Sequence, residues 1–255
     1  MRFRFAILAV LFVVAGLVAR PLSSNAAEGK GDFSGSQKTA IETIVRDYLL
    51  ANPEILKEMS QMLQAQEMKA MLDKATQGIV ANRKDLEDKS LPFIGAKDGD
   101  VTIYQFFDYQ CHYCKVALKT VEELVKTDAK VKVVLIDLPI LSEDSRVASM
   151  AAVAAARQGK YAAFYPAMMG YQGRLDQATI EKLAASVGLD VEQMKKDMKL
   201  DEVKDRLAKN ADLAEKIGVR GTPGFVVGDQ LVPGVMPPEQ FRRMISDIRA
   251  GKARK

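Results

Sequence analysis

Apolar residues recur at helical spacing through the N-terminal part of the chain. Residues 41–49 carry them at intervals of three and four, and Asn52-Pro53 then interrupts the pattern. Asn52 is predicted as the N-cap and Pro53 as the first residue of a second helix, which continues to about Ala81. The stretch that follows, Asn82–Ser90, is charged and has no apolar period, so it is predicted as a link.

The pattern then changes to that of a strand, a helix and a second strand. Val101–Phe107 is a β-branched and aromatic run of strand length, and Val131–Leu138 is another. Between them, a helical pattern opens at Cys111. A strand–helix–strand order of this length predicts a βαβ unit with a parallel pair of strands.

The rest of the chain is predicted as helices followed by a hairpin. Gly228-Asp229 separates two short apolar runs, as in a β-hairpin, and a final helix starts at Pro237-Pro238. The predicted fold class is therefore α/β, with the strands divided by an all-helical insertion at about 140–217. Four helices are predicted in or beside that insertion: Ser145–Gln158, Asp176–Val187, Val191–Met198 and Asp201–Ile217.

The first 26 residues resemble a secretory signal. Arg2 and Arg4 precede the apolar run Phe5–Val18, which is short for a membrane span, and small residues end at Ala26. An uncleaved N-terminal anchor is the alternative. Cleavage after Ala26 would leave 34 basic and 33 acidic side chains, so the net charge of +4 comes mainly from the leader. We therefore expect export to the periplasm and no nucleic-acid partner.

Composition narrows the possible chemistry. Hydrophobic residues make up 48% and charged residues 27% of the 255 residues, which are ordinary globular values. The two cysteines cannot form a disulfide-rich scaffold or a four-cysteine metal site, and the single histidine excludes mechanisms that need two imidazoles. No cofactor and no metal site are predicted.

The strongest chemical motif is Cys111-His112-Tyr113-Cys114, at the start of the predicted helix. Two cysteines at this spacing can form a disulfide, and a helix N-terminus favours the thiolate form of Cys111. Cys111 is predicted as the attacking nucleophile and Cys114 as the resolving thiol. His112, as an imidazolium, would add to the stabilisation of the thiolate. Half a metal site and a plain structural disulfide are the alternatives.

A second motif precedes the hairpin. Residues 218–225 read Gly-Val-Arg-Gly-Thr-Pro-Gly-Phe, and a Thr222–Pro223 bond directly before a strand is a candidate cis peptide. The pair of motifs, with helices between them, resembles the DsbA-type thiol–disulfide oxidoreductases of the thioredoxin superfamily. The resemblance covers residues 101–255. It implies a thioredoxin-like fold with a helical insertion, and a loop at Thr222 and Pro223 that packs against the cysteine pair and contacts substrate.

The resemblance also points to particular branches of the superfamily. A tyrosine directly before the second cysteine, here Tyr113, is similar to the motif of isomerases and reductases of the superfamily. Tyr113 is also a candidate substrate contact, together with Thr222 and Pro223. The N-terminal helices resemble the extension of the copper-sensitivity-suppressor-like branch. The domain prediction is a signal peptide at 1–26, a helical oligomerisation region at 27–90 and a DsbA-type domain at 91–255.

The apolar side chains of the N-terminal helices exceed what two helices can bury against each other. We expect them to bind a second copy of the chain, with a homodimer as the commonest symmetry. The alternative is that these helices pack back on their own catalytic domain.

Two hypotheses for function follow. The first is an exported oxidoreductase that forms and isomerises disulfides in unfolded or misfolded client proteins, with a membrane partner that resets the Cys111–Cys114 pair. The second is a copper-binding or copper-tolerance protein that uses soft ligands. These ligands would be the two cysteines and the methionines of the second helix, Met59, Met62, Met68 and Met71.

Overall fold

The computed structural model describes residues 33–252, so the predicted signal peptide lies outside the described residues. The chain divides into two compact units, with the division after Glu58. The first unit contains α1 (Gly35–Ala51) and the start of α2 (Glu54–Ala81). Residues 59–90, which the sequence analysis grouped with the N-terminal helices, belong to the second unit together with the sheet.

Both N-terminal helices are present, and the role of Asn52 is corrected. Ser34 and Gln37 form a capping box at the start of α1. Asn52 ends α1 rather than starting α2, because its backbone N–H and its side-chain amide both donate to the Tyr48 carbonyl. The second helix begins two residues later, at Glu54.

The second unit is built on a five-stranded sheet. Its strands are β1 (Phe93–Gly95), β2 (Val101–Phe107), β3 (Val131–Asp137), β4 (Gly224–Val227) and β5 (Gln230–Pro233), in the order β1-β3-β2-β4-β5. β2 and β3 are parallel, which confirms the βαβ prediction, and the other pairs are antiparallel. The short edge strand β1 was not predicted.

Helices cover both faces of this sheet. Their bounds are α3 (Arg83–Leu86), α4 (His112–Thr127), α5 (Glu143–Arg157), α6 (Tyr161–Met169), α7 (Gln177–Ser186), α8 (Val191–Asp197), α9 (Asp201–Lys216) and α10 (Pro238–Arg249). The five helices from α5 to α9 form the predicted helical insertion between β3 and β4. The hairpin β4–β5 and the final helix also agree with their predictions.

The alternation of side chains along the strands creates two separate cores. Ile103 and Phe107 of β2 face one core, which α4 to α8 and α10 cover. Tyr104 and Phe106 face the other core, where the end of α2 and α9 pack. Gly78 allows the close approach of α2 to α9, because a Cβ atom there would collide with the carbonyl oxygen of Lys216.

The predicted link Asn82–Ser90 belongs to the second unit and packs within it. It contains α3, and the side chain of Leu86 is fully buried in the second core. Arg83 forms an ion pair with Asp229, and Arg206 contacts Asp88 at 3.0 Å. A single buried leucine among charges has no periodicity that the sequence could have revealed.

Candidate active site

A buried carboxylate shapes the turn that joins β2 to α4. Asp108 is fully buried, and one of its oxygens accepts the N–H of Gln110 at 2.8 Å. The other oxygen accepts the N–H groups of Ile140 and Leu141 at 2.9 and 3.1 Å. Asp108 therefore ties the cysteine turn to the segment that follows β3.

The cysteine pair lies at the N-terminus of α4, as predicted. Cys111 is the N-cap residue, and its Sγ accepts the backbone N–H of Cys114 at 3.4 Å. Both residues are free thiols in this structure. The sulfur of Cys111 therefore lies where unpaired helix N–H groups concentrate partial positive charge.

The two thiols differ in their access to solvent. Cys111 retains 6% of its surface and Cys114 none. Burial raises the pKa of the Cys114 thiol well above its ordinary value. Of the two sulfurs, only that of Cys111 is therefore accessible from outside the protein. Its role as the nucleophile stays a prediction.

The loop before β4 lies against Cys111. The Cys111 thiol donates to the Thr222 carbonyl at 3.2 Å, across a sequence separation of 111 residues. The Thr222–Pro223 peptide bond is cis, which confirms the prediction. The Pro223 carbonyl accepts the N–H of Gly234 at 2.8 Å, so this loop is fixed by the start of the segment after β5.

The two residues between the cysteines, His112 and Tyr113, are exposed. Their rings meet edge to face at 5.5 Å. Within residues 33–252 the imidazole makes no hydrogen bond, so its predicted electrostatic role toward Cys111 stays a prediction.

Exposed apolar side chains surround the cysteine turn. The segments that carry them are bonded to the site: Asp108 holds Ile140 and Leu141, and Lys115 donates to the Tyr171 carbonyl. The members of this set, here called the apolar rim, are Tyr113, Val116, Ile140, Leu141, Tyr171 and Val235. A clustered apolar surface of this kind is typical of an interaction site.

Sequence reasoning missed two buried acids near the site, Asp108 and Asp137. Each follows or ends an apolar strand, and Asp137 accepts a hydrogen bond from Tyr161 in the helical insertion. The signal available in the sequence was an acidic residue at the end of an apolar run. The fold brings Asp137 and Tyr161 together, and no sequence spacing predicts that contact.

Among residues 33–252, no three His, Cys, Asp or Glu side chains are grouped as a metal site would require. Met59, Met62 and Met68 of α2 are exposed. None of the helices in the described part of the chain is both long and apolar enough to cross a membrane.

The sheet with its βαβ unit, the dithiol at a helix N-terminus and the opposing cis-proline loop together define a thioredoxin-fold domain of the disulfide-exchange class. Residues 102–246 match the family model described as the DSBA-like thioredoxin domain, and residues 37–70 match the copper resistance protein ScsC N-terminal domain. The chain belongs to the DsbA-like thioredoxin family, in its ScsC-like branch.

Solved structures and curated relatives agree with this assignment. A thioredoxin-like oxidoreductase from Silicibacter pomeroyi is 44% identical, with a TM-score of 0.64. The match covers 68% of this chain and 99% of that one. Proteus mirabilis ScsC in a transitional conformation is 30% identical, with a TM-score of 0.63, and the match covers 86% of this chain and 98% of that one. A probable disulfide bond formation protein D from Bacillus cereus is 28% identical, with coverages of 60% and 79%.

Longer proteins also contain a similar stretch. A Na(+)/H(+) antiporter NhaA from Salinispora tropica is 26% identical over 170 residues. That match covers 66% of this chain, and the chain spans 26% of the antiporter's length.

Proposed function

We propose that this protein is an exported thiol–disulfide oxidoreductase that forms and also isomerises disulfides in client proteins. The observation that carries the proposal is the contact set of Cys111. Its sulfur caps a helix, lies within hydrogen-bonding distance of the Thr222 carbonyl, and is one helical turn from the buried thiol of Cys114.

The reaction follows from the difference in access between the two thiols. In the oxidised protein, a client thiolate attacks the Cys111 sulfur and releases Cys114, which gives a mixed disulfide. A second client thiol then attacks the client sulfur and releases Cys111 as a thiolate, with the client disulfide formed. The helix N-terminus stabilises that leaving thiolate. A membrane redox partner would restore the Cys111–Cys114 disulfide.

Two surfaces next to the site suit an unfolded client. The apolar rim offers contacts to exposed apolar side chains, which folded clients bury. A groove of about 1210 Å³, lined by Met68 and Met71 of α2 and by Val219 and Arg220, lies beside the loop that carries Thr222 and Pro223. A smaller pocket that also contains Met71 reaches both of these loop residues. We propose that a client segment lies along this loop, with Tyr113 as a further contact.

An assay with two forms of one client tests the two halves of the proposal. With reduced ribonuclease A and an oxidant, the wild-type protein should accelerate recovery of ribonuclease activity. With scrambled ribonuclease A and a reducing buffer, it should recover activity again. The Cys111→Ser/Cys114→Ser variant should give the uncatalysed rate in both assays. Recovery from the reduced form alone would remove isomerisation from the function.

The first unit supports self-association. None of the α1 residues is buried, and Ile44 and Tyr48 are 67% and 60% exposed. Apolar area of this extent on one helix is stabilised when a second copy covers it. We propose a homodimer, in which two cysteine sites serve one misfolded client.

Substitution of α1 tests the association in the full-length mature protein. Light scattering of the wild type at micromolar concentration should give a mass above that of one chain. Ile44→Lys/Tyr48→Lys should reduce the mass to one chain and lower isomerisation more than oxidation. Val80→Lys, an exposed apolar position of the second unit, should leave the mass unchanged. A monomeric wild type would contradict the proposal.

A further inference from the structure

An arginine without a partner lies on the loop that faces the cysteine pair. Arg220 is exposed and stands two residues before Thr222 in the sequence. It lines both the groove beside this loop and the smaller pocket that contains Thr222 and Pro223. Its side chain takes part in no ion pair or hydrogen bond within residues 33–252. The guanidinium group is therefore available to a group from outside the protein.

The other arginines of the protein show that this is unusual. With the exception of Arg243, every other arginine in the described part of the chain forms an ion pair with an aspartate or a glutamate. Arg243 is an exposed residue of α10, and it lines neither the groove nor the smaller pocket. Arg220 therefore combines an unpaired guanidinium group with a position next to the cysteine site.

The carboxylates of the groove do not neutralise this cation. The charged residues of the lining are Glu67, Lys74, Glu215, Lys216 and Arg220. Among the described residues, neither glutamate forms an ion pair with Arg220. A guanidinium group matches the two oxygens of a carboxylate through two parallel hydrogen bonds, and it is less strongly hydrated than a lysine ammonium group. A carboxylate is therefore the group that best complements this position.

The spacing along the loop determines which client residues reach Arg220. The Thr222 carbonyl lies 3.2 Å from the Cys111 sulfur, the atom to which a client cysteine becomes joined. An extended chain rises about 3.3 Å per residue, so a client segment that follows the loop passes Arg220 about two residues from its cysteine. A Cβ atom at Gly221 would meet no atom within 4 Å apart from its neighbours in the chain, so the space beside the loop is open there.

We propose that Arg220 is a specificity-determining residue, which favours client segments with an aspartate or glutamate about two residues from the reactive cysteine. The inference rests on the proposed oxidoreductase function and names a class of clients for it. The client carboxylate pairs with the guanidinium group, and apolar neighbours in the client occupy the groove beside Met71 and Val219. Because the pair forms at an exposed position, it gives a preference of several-fold rather than absolute selection.

Activated peptides that differ in one residue test this preference. Each peptide contains one cysteine, joined to thionitrobenzoate as a disulfide, in an apolar segment. One set has Glu, Gln or Lys two positions before the cysteine, and a second set has them two positions after it. When reduced wild-type protein is added, the Cys111 thiolate attacks the peptide sulfur, and the coloured thionitrobenzoate leaves with the electron pair of the broken bond. Stopped-flow absorbance measures this release.

The ratio of the rates for the Glu and Lys peptides is the quantity of interest. It is divided by the same ratio measured with glutathione, which removes differences in the intrinsic reactivity of the peptides. In at least one set, the corrected ratio for the wild type should be about five or more at low ionic strength. About 0.5 M salt should bring it close to one, because salt screens an exposed pair. A corrected ratio near one in both sets at low ionic strength would overturn the proposal.

Variants of the two unpaired arginines separate a direct contact from the general field of the protein. Arg220→Gln should bring the corrected ratio near one, and Arg220→Glu should invert it, so that the Lys peptide reacts faster. Arg243→Glu makes the same change in net charge and should keep the wild-type ratio. An unchanged ratio in Arg220→Glu, or an equal shift in Arg243→Glu, would also refute the contact. Release no faster than with glutathione for every peptide would instead contradict the proposed function.

Discussion

Replacement of Cys114 by serine should convert the protein into a trap for its clients. In the proposed mechanism, a mixed disulfide that no second client thiol resolves is opened from inside by the Cys114 sulfur, one helical turn from Cys111. An external thiol lacks that advantage of proximity, so release of client in a reducing buffer should slow by about two orders of magnitude or more. Non-reducing gels of the purified variant, incubated with scrambled ribonuclease, should show the adduct accumulate.

The matched variant is Cys111→Ser, which retains the buried thiol. It should form no adduct, because Cys114 is fully buried and client sulfur cannot reach it. Both variants should unfold at similar urea concentrations, since each exchanges one sulfur for one oxygen. Adducts attached through Cys114 in the Cys111→Ser protein would reverse the assignment of the two cysteines.

Removal of the Asp108 carboxylate should produce the largest loss of stability near the site. Asp108→Ala removes the buried carboxylate that accepts three part-buried backbone N–H groups, those of Gln110, Ile140 and Leu141. A hydrogen bond to a charged group contributes about 1.5–3 kcal/mol, and water can replace part of what is lost, so the free energy of unfolding should fall by about 3 kcal/mol. Urea unfolding followed by far-UV circular dichroism measures this change.

The same substitution should also impair exchange, because Asp108 joins the cysteine turn to the apolar rim. Asp108→Asn provides a graded control. Its single side-chain carbonyl oxygen can accept either the N–H of Gln110 or those of Ile140 and Leu141, so its loss of stability should be intermediate. Asp73→Ala, whose exposed carboxylate pairs with Lys69, should change the free energy of unfolding by less than about 1 kcal/mol. Equal stability of Asp108→Ala and the wild type would show that the three N–H groups find other partners.

Elements with a clear local pattern were predictable from the sequence. β2 was found as a run of β-branched and aromatic residues, and the β4–β5 hairpin from its turn residues, because both signals act locally. α6 was missed because it is buried on several sides and is apolar throughout, so it has no amphipathic period, and Pro166 lies inside it. β1 was missed because three residues paired only with β3 carry too little pattern.

The sequence also indicated part of the site. Cys111 and Cys114 carry their chemistry in their spacing, and Thr222-Pro223 stands directly before a strand, so both motifs were recognisable locally. The structure added the contact between them: the Cys111 sulfur and the Thr222 carbonyl meet across 111 residues of chain. Such a contact is set by the packing of the sheet and cannot be inferred from either motif alone.

By itself, the sequence determined the dithiol at a helix start, the parallel βαβ unit and the division of the strands by helices, since short-range periodicity and turn chemistry encode these features. Only the tertiary structure decided which groups surround the dithiol. Asp108 and Asp137 are ordinary acids in the sequence, and their burial depends on segments far along the chain, from Ile140 to Tyr161. Burial and hydrogen bonding change the chemistry of a carboxyl group, and both arise only when distant segments pack together.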